Sequence, residues 1–190
     1  PWAFDEVIAS VRTHLKKGCI LLSVAAGCGL ERIGMALERD DIGRMYMIPN
    51  TPIRIGKGMS FAAAEDIDSD KLEEIVALFS PITRLEIIDE AKMPAAMALC
   101  SCGVAYVYKF IAAAAQAGVE IGFPYDDAVK YFTATLAGAA GMIESSGKSP
   151  QELINEVTTP GGITIKGINT LEREGFPSSV IEAIKTTSKS

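Results

Sequence analysis

Residues 156–176 read EVTTPGGITIKGINTLEREGF and join a glycine turn to an amphipathic helix. The turn follows Thr159 as Pro160-Gly161-Gly162, where proline fixes φ and the two glycines allow backbone shapes that other residues avoid. From Ile163 the apolar residues recur at helical spacing, and Gly175 supplies a stop at the other end. The stretch therefore predicts a turn that a ligand can approach closely, followed by a helix.

The start of this predicted helix has the features of an anion site. Its first N–H groups lack an intrahelical partner, and the helix dipole places partial positive charge there. A small carboxylate can therefore bind at this end, with the hydroxyl groups of Thr159 and Thr164 beside it. The alternative is an ordinary capped loop, because turns of this composition commonly serve only as connections.

The composition narrows the class of protein. The chain has 190 residues, of which 48% are hydrophobic and 22% are charged, and this predicts a soluble globular protein with one large or two small domains. Its net charge of −6 argues against nucleic acid or an anionic membrane surface as a partner and favours a small metabolite. An uninterrupted run of about 18 apolar residues and a basic-then-apolar start are both missing, so we expect a cytoplasmic protein.

The cysteine and histidine content predicts no metal site. His14 is the only histidine, and none of the four cysteines forms a CxxC pair. Cys100 and Cys102 can be interpreted as a redox or metal pair. Side chains two positions apart diverge on a helix, however, so small packing residues are the favoured interpretation.

The N-terminal part of the chain alternates between helix and strand patterns. Apolar residues from Phe4 to Leu15 are spaced three and four apart, which predicts an amphipathic helix. The run CILLSVAA at residues 19–26 predicts a buried parallel strand. A second helix near residues 30–37 and a second strand at residues 44–48 complete half of a doubly wound α/β domain.

Ligands of such domains bind at the carboxyl ends of the strands. After the first strand, Ala25-Ala26-Gly27 is small enough for a cofactor to lie against the backbone, and after the second strand Pro49-Asn50-Thr51 offers an amide side chain. The sequence contains no GxGxxG loop, and Gly56-Lys57-Gly58 lacks its glycine spacing. Because that loop belongs to the first strand of the domain, we expect the opening half to lie outside these residues.

Two further strands are predicted at residues 59–64 and 85–88, and then the composition shifts to alanine. We therefore expect residues 1–90 to form a partial Rossmann-like nucleotide-binding domain and residues 91–190 to form a helical domain. Residues 95–117 predict a long helix that is apolar on all sides. A small helical domain cannot enclose such a helix, so we predict a dimerisation domain in which a second subunit covers it.

The order of these motifs is similar to that of the NADPH-dependent pyrroline-5-carboxylate reductases. The family's AAG matches residues 25–27, and its MPNTP matches residues 48–52 as IPNTP. Its AGVxxGLP matches residues 117–124 as AGVEIGFP. The most specific match is the C-terminal signature VTSPGGTTxxGxxxLExxGF, which residues 157–176 carry as VTTPGGITIKGINTLEREGF.

The resemblance implies an N-terminal Rossmann domain, a helical domain that interlocks with a second subunit, and an active site between them. It implies reduction of 1-pyrroline-5-carboxylate to proline with NADPH or NADH, by a homodimer or a larger homo-oligomer built from dimers. Pro1 matches the proline of the family's VKP, so the first strand and its GxGxxG are expected to be absent from these 190 residues.

The resemblance also implies roles for individual residues. Thr164 is expected to donate a hydrogen bond to the imine nitrogen as hydride arrives at carbon. The implied substrate-binding residues are Cys102, Gly103, Thr159, Gly161, Gly162 and Ile163, with the backbone N–H groups of the last three on the carboxylate. The implied cofactor-binding residues are Ala26, Gly27, Pro49, Asn50 and Thr51.

The chain departs from the family pattern near the implied site. The family's SGSGPAY is CSCGVAY at residues 100–106, so two serines are cysteines here. Tyr46 replaces an arginine, Tyr125 a basic residue, Met97 a threonine and Ile163 the first threonine of GGTT. These changes leave two alternatives open, a reductase of another imine or ketone and a dimerising homologue without catalytic activity.

Overall fold

The computed structural model describes residues 1–188, which form two compact units. The first unit contains residues 1–104 and 186–188, and the second contains residues 105–185. The predicted domain division at residues 90/91 stays a prediction, because a compact unit is defined by its contacts and a domain by independent folding. Each unit is described separately.

The first unit is built on a four-stranded mixed sheet with strand order β1-β2-β3-β4. The strands are β1 Ile20–Ser23, β2 Gly43–Pro49, β3 Gly58–Glu65 and β4 Thr83–Ile87. The helices are α1 Phe4–Val11, α2 Leu30–Leu37 and α3 Ser69–Phe79. The predicted α/β class is confirmed, although α1 ends before Leu15.

Strand β3 departs from the all-parallel order that a doubly wound sheet predicts. β1 and β2 are parallel and β3 and β4 are parallel, but β2 and β3 pair antiparallel, with Pro49 opposite Ser60. Only a short connection with a 3₁₀ turn at Thr51–Ile55 joins the two strands. A parallel crossover needs a dozen or more residues, so a connection of this length forces the chain to turn back.

Helices cover both faces of the sheet. Along β2, Met45 and Met47 point to one face and Tyr46 to the other, as the two-residue period of a strand requires. Met45 and Met47 pack with α3, whereas Tyr46 packs with α1 and α2. This arrangement explains why the strands read as continuous apolar runs.

The chain from Glu90 to Glu120 is helical throughout. It comprises a 3₁₀ turn at Glu90–Lys92, α4 at Met93–Ala96, a π-helical turn at Met97–Ser101 and α5 at Gly103–Glu120. By length and composition alone this stretch is apolar enough to cross a membrane, and only 6% of its most apolar 18-residue window is buried. The predicted long apolar helix is therefore present, and the chain by itself leaves it largely uncovered.

The only regular secondary structure among residues 105–185 is α-helix. After α5 come α6 Tyr125–Ser146, α7 Pro150–Val157, α8 Ile163–Arg173 and α9 Phe176–Thr187. Within residues 105–185 only Ala115, Gly118 and Ala128 are buried, while large apolar side chains such as Tyr108 and Ile121 are more than half exposed. Within residues 105–185 these helices therefore do not enclose a core of their own, and their apolar faces remain exposed.

Candidate active site

The first group of candidate residues lies at the carboxyl ends of β1 and β2. Residues 25–28 form a turn in which the Cys28 N–H donates to the Ala25 carbonyl at 3.0 Å. Gly27 has φ +75°, which only glycine adopts without strain, and its N–H faces the Tyr46 hydroxyl at 3.3 Å. Ala26 and Gly27 are exposed, so this turn presents a small, open backbone surface.

Asn50 joins three segments through its side-chain amide. Its Oδ1 accepts a hydrogen bond from the Met59 N–H at 2.9 Å, and its Nδ2 donates to the Cys100 carbonyl at 3.3 Å. The amide that the sequence offers as a cofactor contact is thus largely occupied within the chain. It brings the end of β2, which carries Pro49 and Thr51, next to the segment that carries Cys102 and Gly103.

Cys100 lies on the π-helical turn, and Cys102 is the residue that follows its last position. The Cys102 N–H donates to the Met97 carbonyl five residues earlier at 3.0 Å, which marks the extra residue of a π turn. Cys100 and Cys102 are both half-buried, and burial raises the pKa of the Cys100 thiol. A neutral thiol is a poor nucleophile, so the raised pKa disfavours a nucleophilic role for Cys100. Residues 1–188 contain no group of three or more acidic, cysteine or histidine side chains placed to hold a metal ion.

The second group of candidate residues forms the turn that leads into α8. The Gly162 N–H donates to the Thr159 carbonyl at 3.0 Å, and Gly161 has φ +73°. The Gly162 amide is therefore committed to the turn. The N–H groups of Ile163, Thr164 and Ile165 in the first helical turn have no intrahelical partner. These three groups, rather than those of Gly161 and Gly162, are therefore the ones available to an anion.

The three threonines beside this turn differ in their hydrogen bonding. Thr158 Oγ1 donates to the Ile154 carbonyl at 2.9 Å and so closes the end of α7. The hydroxyl groups of Thr159 and Thr164 are exposed and form no hydrogen bond with any residue between 1 and 188. Thr164 therefore does not cap its own helix, and its hydroxyl is available to a ligand.

Gly162 is the position in this turn with the least room. Its φ of −68° suits any residue, but an added Cβ would lie 2.5 Å from Thr159 Oγ1 and 3.0 Å from the Thr159 carbonyl oxygen. We expect Gly162→Ala to lower the melting temperature by about 2–4 °C, since overpacking of this size costs on the order of 1 kcal/mol.

The double variant Thr159→Ala/Gly162→Ala is the control, because it removes Oγ1. Measured by differential scanning calorimetry, adding Gly162→Ala to the Thr159→Ala variant should lower the melting temperature by much less than adding it to the unmodified chain. A Gly162→Ala cost that is the same in both backgrounds would contradict the steric explanation.

Comparison with known proteins matches both parts of the chain. Residues 90–190 match the sequence profile described as pyrroline-5-carboxylate reductase dimerisation. Pyrroline-5-carboxylate reductase from Synechocystis is 34% identical over 97% of this chain and 68% of its own length. The chain belongs to the pyrroline-5-carboxylate reductase family. The match extends over both groups of candidate residues.

Other members of the reductase family show the same relationship. Pyrroline-5-carboxylate reductase 1 from Dictyostelium discoideum is 34% identical over 99% of this chain, and the chain spans 36% of that protein's length. The crystal structure of Plasmodium falciparum pyrroline carboxylate reductase with NADP bound superposes with a TM-score of 0.87 at 26% identity. It covers the whole of this chain, and the chain covers 76% of it. The predicted Rossmann-type fold and dimerisation domain are therefore confirmed at the level of the family.

The structure separates the candidate residues of this reductase-family chain into two groups. Ala26, Gly27, Pro49–Thr51, Cys102 and Gly103 lie in the first unit, and Thr159–Thr164 lie in the second. The roles assigned to them stay predictions. The sequence did not predict the hydrogen bonds of the Asn50 amide and of the Tyr46 hydroxyl. A sequence motif does not show whether an amide or a phenol is already hydrogen-bonded within the chain.

Proposed function

We propose that this chain reduces 1-pyrroline-5-carboxylate to proline with a nicotinamide cofactor. Family membership supports the proposal, and the observation that carries it is the open start of α8. There the retained Pro160-Gly161-Gly162 turn leads to the Thr164 hydroxyl, which has no partner among residues 1–188 and lies beside unpaired helix N–H groups. A cyclic imine that carries a carboxylate needs both features.

The chain's own residues supply binding and one hydrogen-bond donor. The substrate carboxylate is proposed to accept from the Ile163 and Thr164 N–H groups, with the Thr159 hydroxyl beside it. When bound, NADPH or NADH supplies the hydride that adds to the C=N carbon. The C=N π electrons move to nitrogen, which takes up a proton from water and becomes a secondary amine. The Thr164 hydroxyl stabilises that nitrogen as its charge changes.

The residues present fit the nicotinamide end of such a cofactor. Ala26 and Gly27 are exposed and an added Cβ at Gly27 would meet nothing within 4 Å, so a flat ring can lie against this backbone. The fit does not extend to the pyrophosphate, because the 190 residues carry no GxGxxG loop. The NADP in the Plasmodium structure favours NADPH for this chain, with NADH as the alternative.

An NADPH titration of the 190-residue chain, combined with turnover measurements, tests this proposal. We expect NADPH to bind with a dissociation constant well above the micromolar range, because the chain lacks a pyrophosphate cradle. With 1-pyrroline-5-carboxylate and saturating NADPH, absorbance at the dihydronicotinamide band should fall and proline should accumulate. Micromolar NADPH affinity would contradict the placement of the cofactor, and an absence of proline would favour the non-catalytic alternative.

A second candidate function is the reduction of another imine or of a ketone. It is favoured by the thiols at Cys100 and Cys102, which stand where the family has serines. A thiol is a weaker hydrogen-bond donor than a hydroxyl, so this side of the site is less suited to polar substrate groups. Higher kcat/KM with a less polar cyclic imine than with 1-pyrroline-5-carboxylate would select this alternative.

A homodimer, or a larger homo-oligomer built from dimers, is the assembly we propose. Its support is an uncovered apolar groove in the second unit. The groove is lined by Val107, Phe110, Ala113, Leu171, Phe176 and Val180. The five large side chains in it are each 37–42% exposed, and the Phe110 and Phe176 rings lie 5.5 Å apart. The matching family profile is one for dimerisation, so the proposed occupant is a second copy.

This assembly bears on the location of the protein. If a second copy covers the apolar stretch Glu90–Glu120, that stretch does not require a membrane. We therefore propose a cytoplasmic protein whose ligand is a small molecule, in keeping with the net charge of −6, which does not suit nucleic acid.

A further inference from the structure

The N-terminus of α2 holds a carboxylate from a distant part of the chain. The Leu30 N–H donates to Glu90 Oε1 at 2.7 Å, across 60 positions of sequence. Gly29 is the N-cap residue of α2, and the helix has no capping side chain of its own. Glu90 therefore performs the capping that serine, threonine or aspartate performs at other helix starts. Its negative charge also complements the positive end of the helix dipole.

The backbone around Glu90 is fixed on both sides. The Asp89 carboxylate accepts from the Ala91 N–H at 2.9 Å and so closes the 3₁₀ turn that contains Glu90. Met93, at the end of this turn, is 2% exposed and belongs to the same core cluster as Cys28 and Leu30. Glu90 thus reaches α2 from a rigid support.

Gly29 leaves room for the carboxylate. Its φ of −72° is accessible to every residue, so the backbone does not require glycine at this position. A Cβ added to Gly29 would collide with Glu90 Oε1. The close approach to Gly29 and the hydrogen bond to Leu30 involve the same oxygen, Glu90 Oε1, which places the carboxylate against the first turn of α2.

We propose that Glu90 is a positioning residue for the reaction proposed above, and the inference rests on that function. The residue immediately before Gly29 is Cys28, which closes the cofactor-side turn with Ala25. The helical path that begins at Glu90 leads on to Cys102 and Gly103. Glu90 therefore joins the cofactor-side turn to the start of the segment with the substrate-side residues.

The same contact closes the N-terminus of α2 to phosphate. The glycines at positions 27 and 29 resemble part of a phosphate-binding loop, and helix N-termini bind phosphate through free N–H groups. At α2 the Leu30 N–H is occupied, and the carboxylate charge repels a second anion. The cofactor pyrophosphate consequently does not bind there.

A double-mutant cycle on the full chain tests the contact without any cofactor. Gly29→Ala should lower the melting temperature by about 2–4 °C, because the added methyl group displaces the carboxylate and removes its capping hydrogen bond, which is worth about 1 kcal/mol. In the Glu90→Ala background the same change should lower it by less than half as much. Asp5→Ala is the control background, because it removes an exposed carboxylate that pairs with Arg32 on α2. In that background Gly29→Ala should lower the melting temperature as much as it does in the unmodified chain. If Gly29→Ala lowered the melting temperature equally in the unmodified chain and in both variant backgrounds, the proposed contact between Gly29 and Glu90 would be wrong.

Steady-state kinetics test the positioning role at a temperature where every variant is folded. Glu90→Ala should lower kcat/KM for NADPH on the order of 10-fold or more, because a small misplacement of a binding surface is costly. Glu90→Gln keeps an acceptor oxygen and should recover most of that loss, and Asp5→Ala should match the unmodified chain.

The two sets of measurements separate the possible failures. A Glu90→Ala variant with unchanged kcat/KM would overturn the positioning role. A chain without turnover would overturn the proposed function and with it the catalytic part of this inference, while the double-mutant cycle would still decide whether Glu90 holds α2.

Discussion

Replacing Thr164 with alanine should lower kcat by about 10²-fold while leaving the KM for NADPH nearly unchanged. The hydroxyl has no hydrogen bond with any residue between 1 and 188, so its removal costs the fold little. Its expected partner is the imine nitrogen, whose charge changes only as hydride arrives. A donor that acts on the transition state lowers kcat when it is removed, whereas a donor that acts equally on bound substrate raises KM.

The controls for Thr164 lie on the same helix and in the same turn. Thr170 Oγ1 donates to the Lys166 carbonyl at 3.0 Å, so Thr170→Ala removes a hydroxyl from α8 without touching the proposed site and should keep kcat. Thr159→Ala should raise the KM for the imine acid at unchanged kcat. Thr164→Ser should retain most activity. An unchanged kcat in Thr164→Ala, or a lower melting temperature that accounts for the loss, would reject the donor role.

Ala113→Asp should dissociate or unfold the assembly. Ala113 lines the apolar groove proposed to receive a second copy, and an unpaired charge buried there costs several kcal/mol. We expect light scattering at micromolar concentration to show a dimer or a multiple of it for the unmodified chain. The variant should appear as a monomer or as aggregated, unfolded material.

The matched control places the same charge on an exposed helix of the first unit. Ala77 is exposed on α3, so Ala77→Asp should leave the particle size unchanged. An unmodified chain that scatters light as a stable monomer at micromolar concentration would reject the proposed assembly. So would an Ala113→Asp variant with the mass and melting temperature of the unmodified chain.

Local sequence patterns predicted most of the elements. The apolar spacing predicted α2 at residues 30–37 with its observed bounds, and the strand patterns at 44–48 and 59–64 fall within β2 and β3. These patterns work because a helix and a strand repeat their buried side chains with different periods.

Gly175 both ends α8 and begins α9, whereas the sequence predicted only the first of these roles. The sequence predicted that it ends α8, and its φ of +77° and the hydrogen bond from its N–H to the Glu172 carbonyl agree. Its own carbonyl accepts from the Ser179 N–H and so starts α9, which the sequence analysis did not predict. A glycine that breaks one helix can begin the next, and only the path of the backbone distinguishes a stop from a restart.

The sequence by itself determined most of the elements, the family and the glycine turn before α8, because dihedral preferences and burial periods are properties of neighbouring residues. The tertiary structure alone decided two contacts, the Asn50 hydrogen bond to the Cys100 carbonyl and the Glu90 contact with α2. These contacts join residues 50 and 60 positions apart. Whether a side-chain amide or carboxylate is free for a ligand depends on which distant N–H or carbonyl the folded chain brings within about 3 Å, and no local pattern encodes that distance.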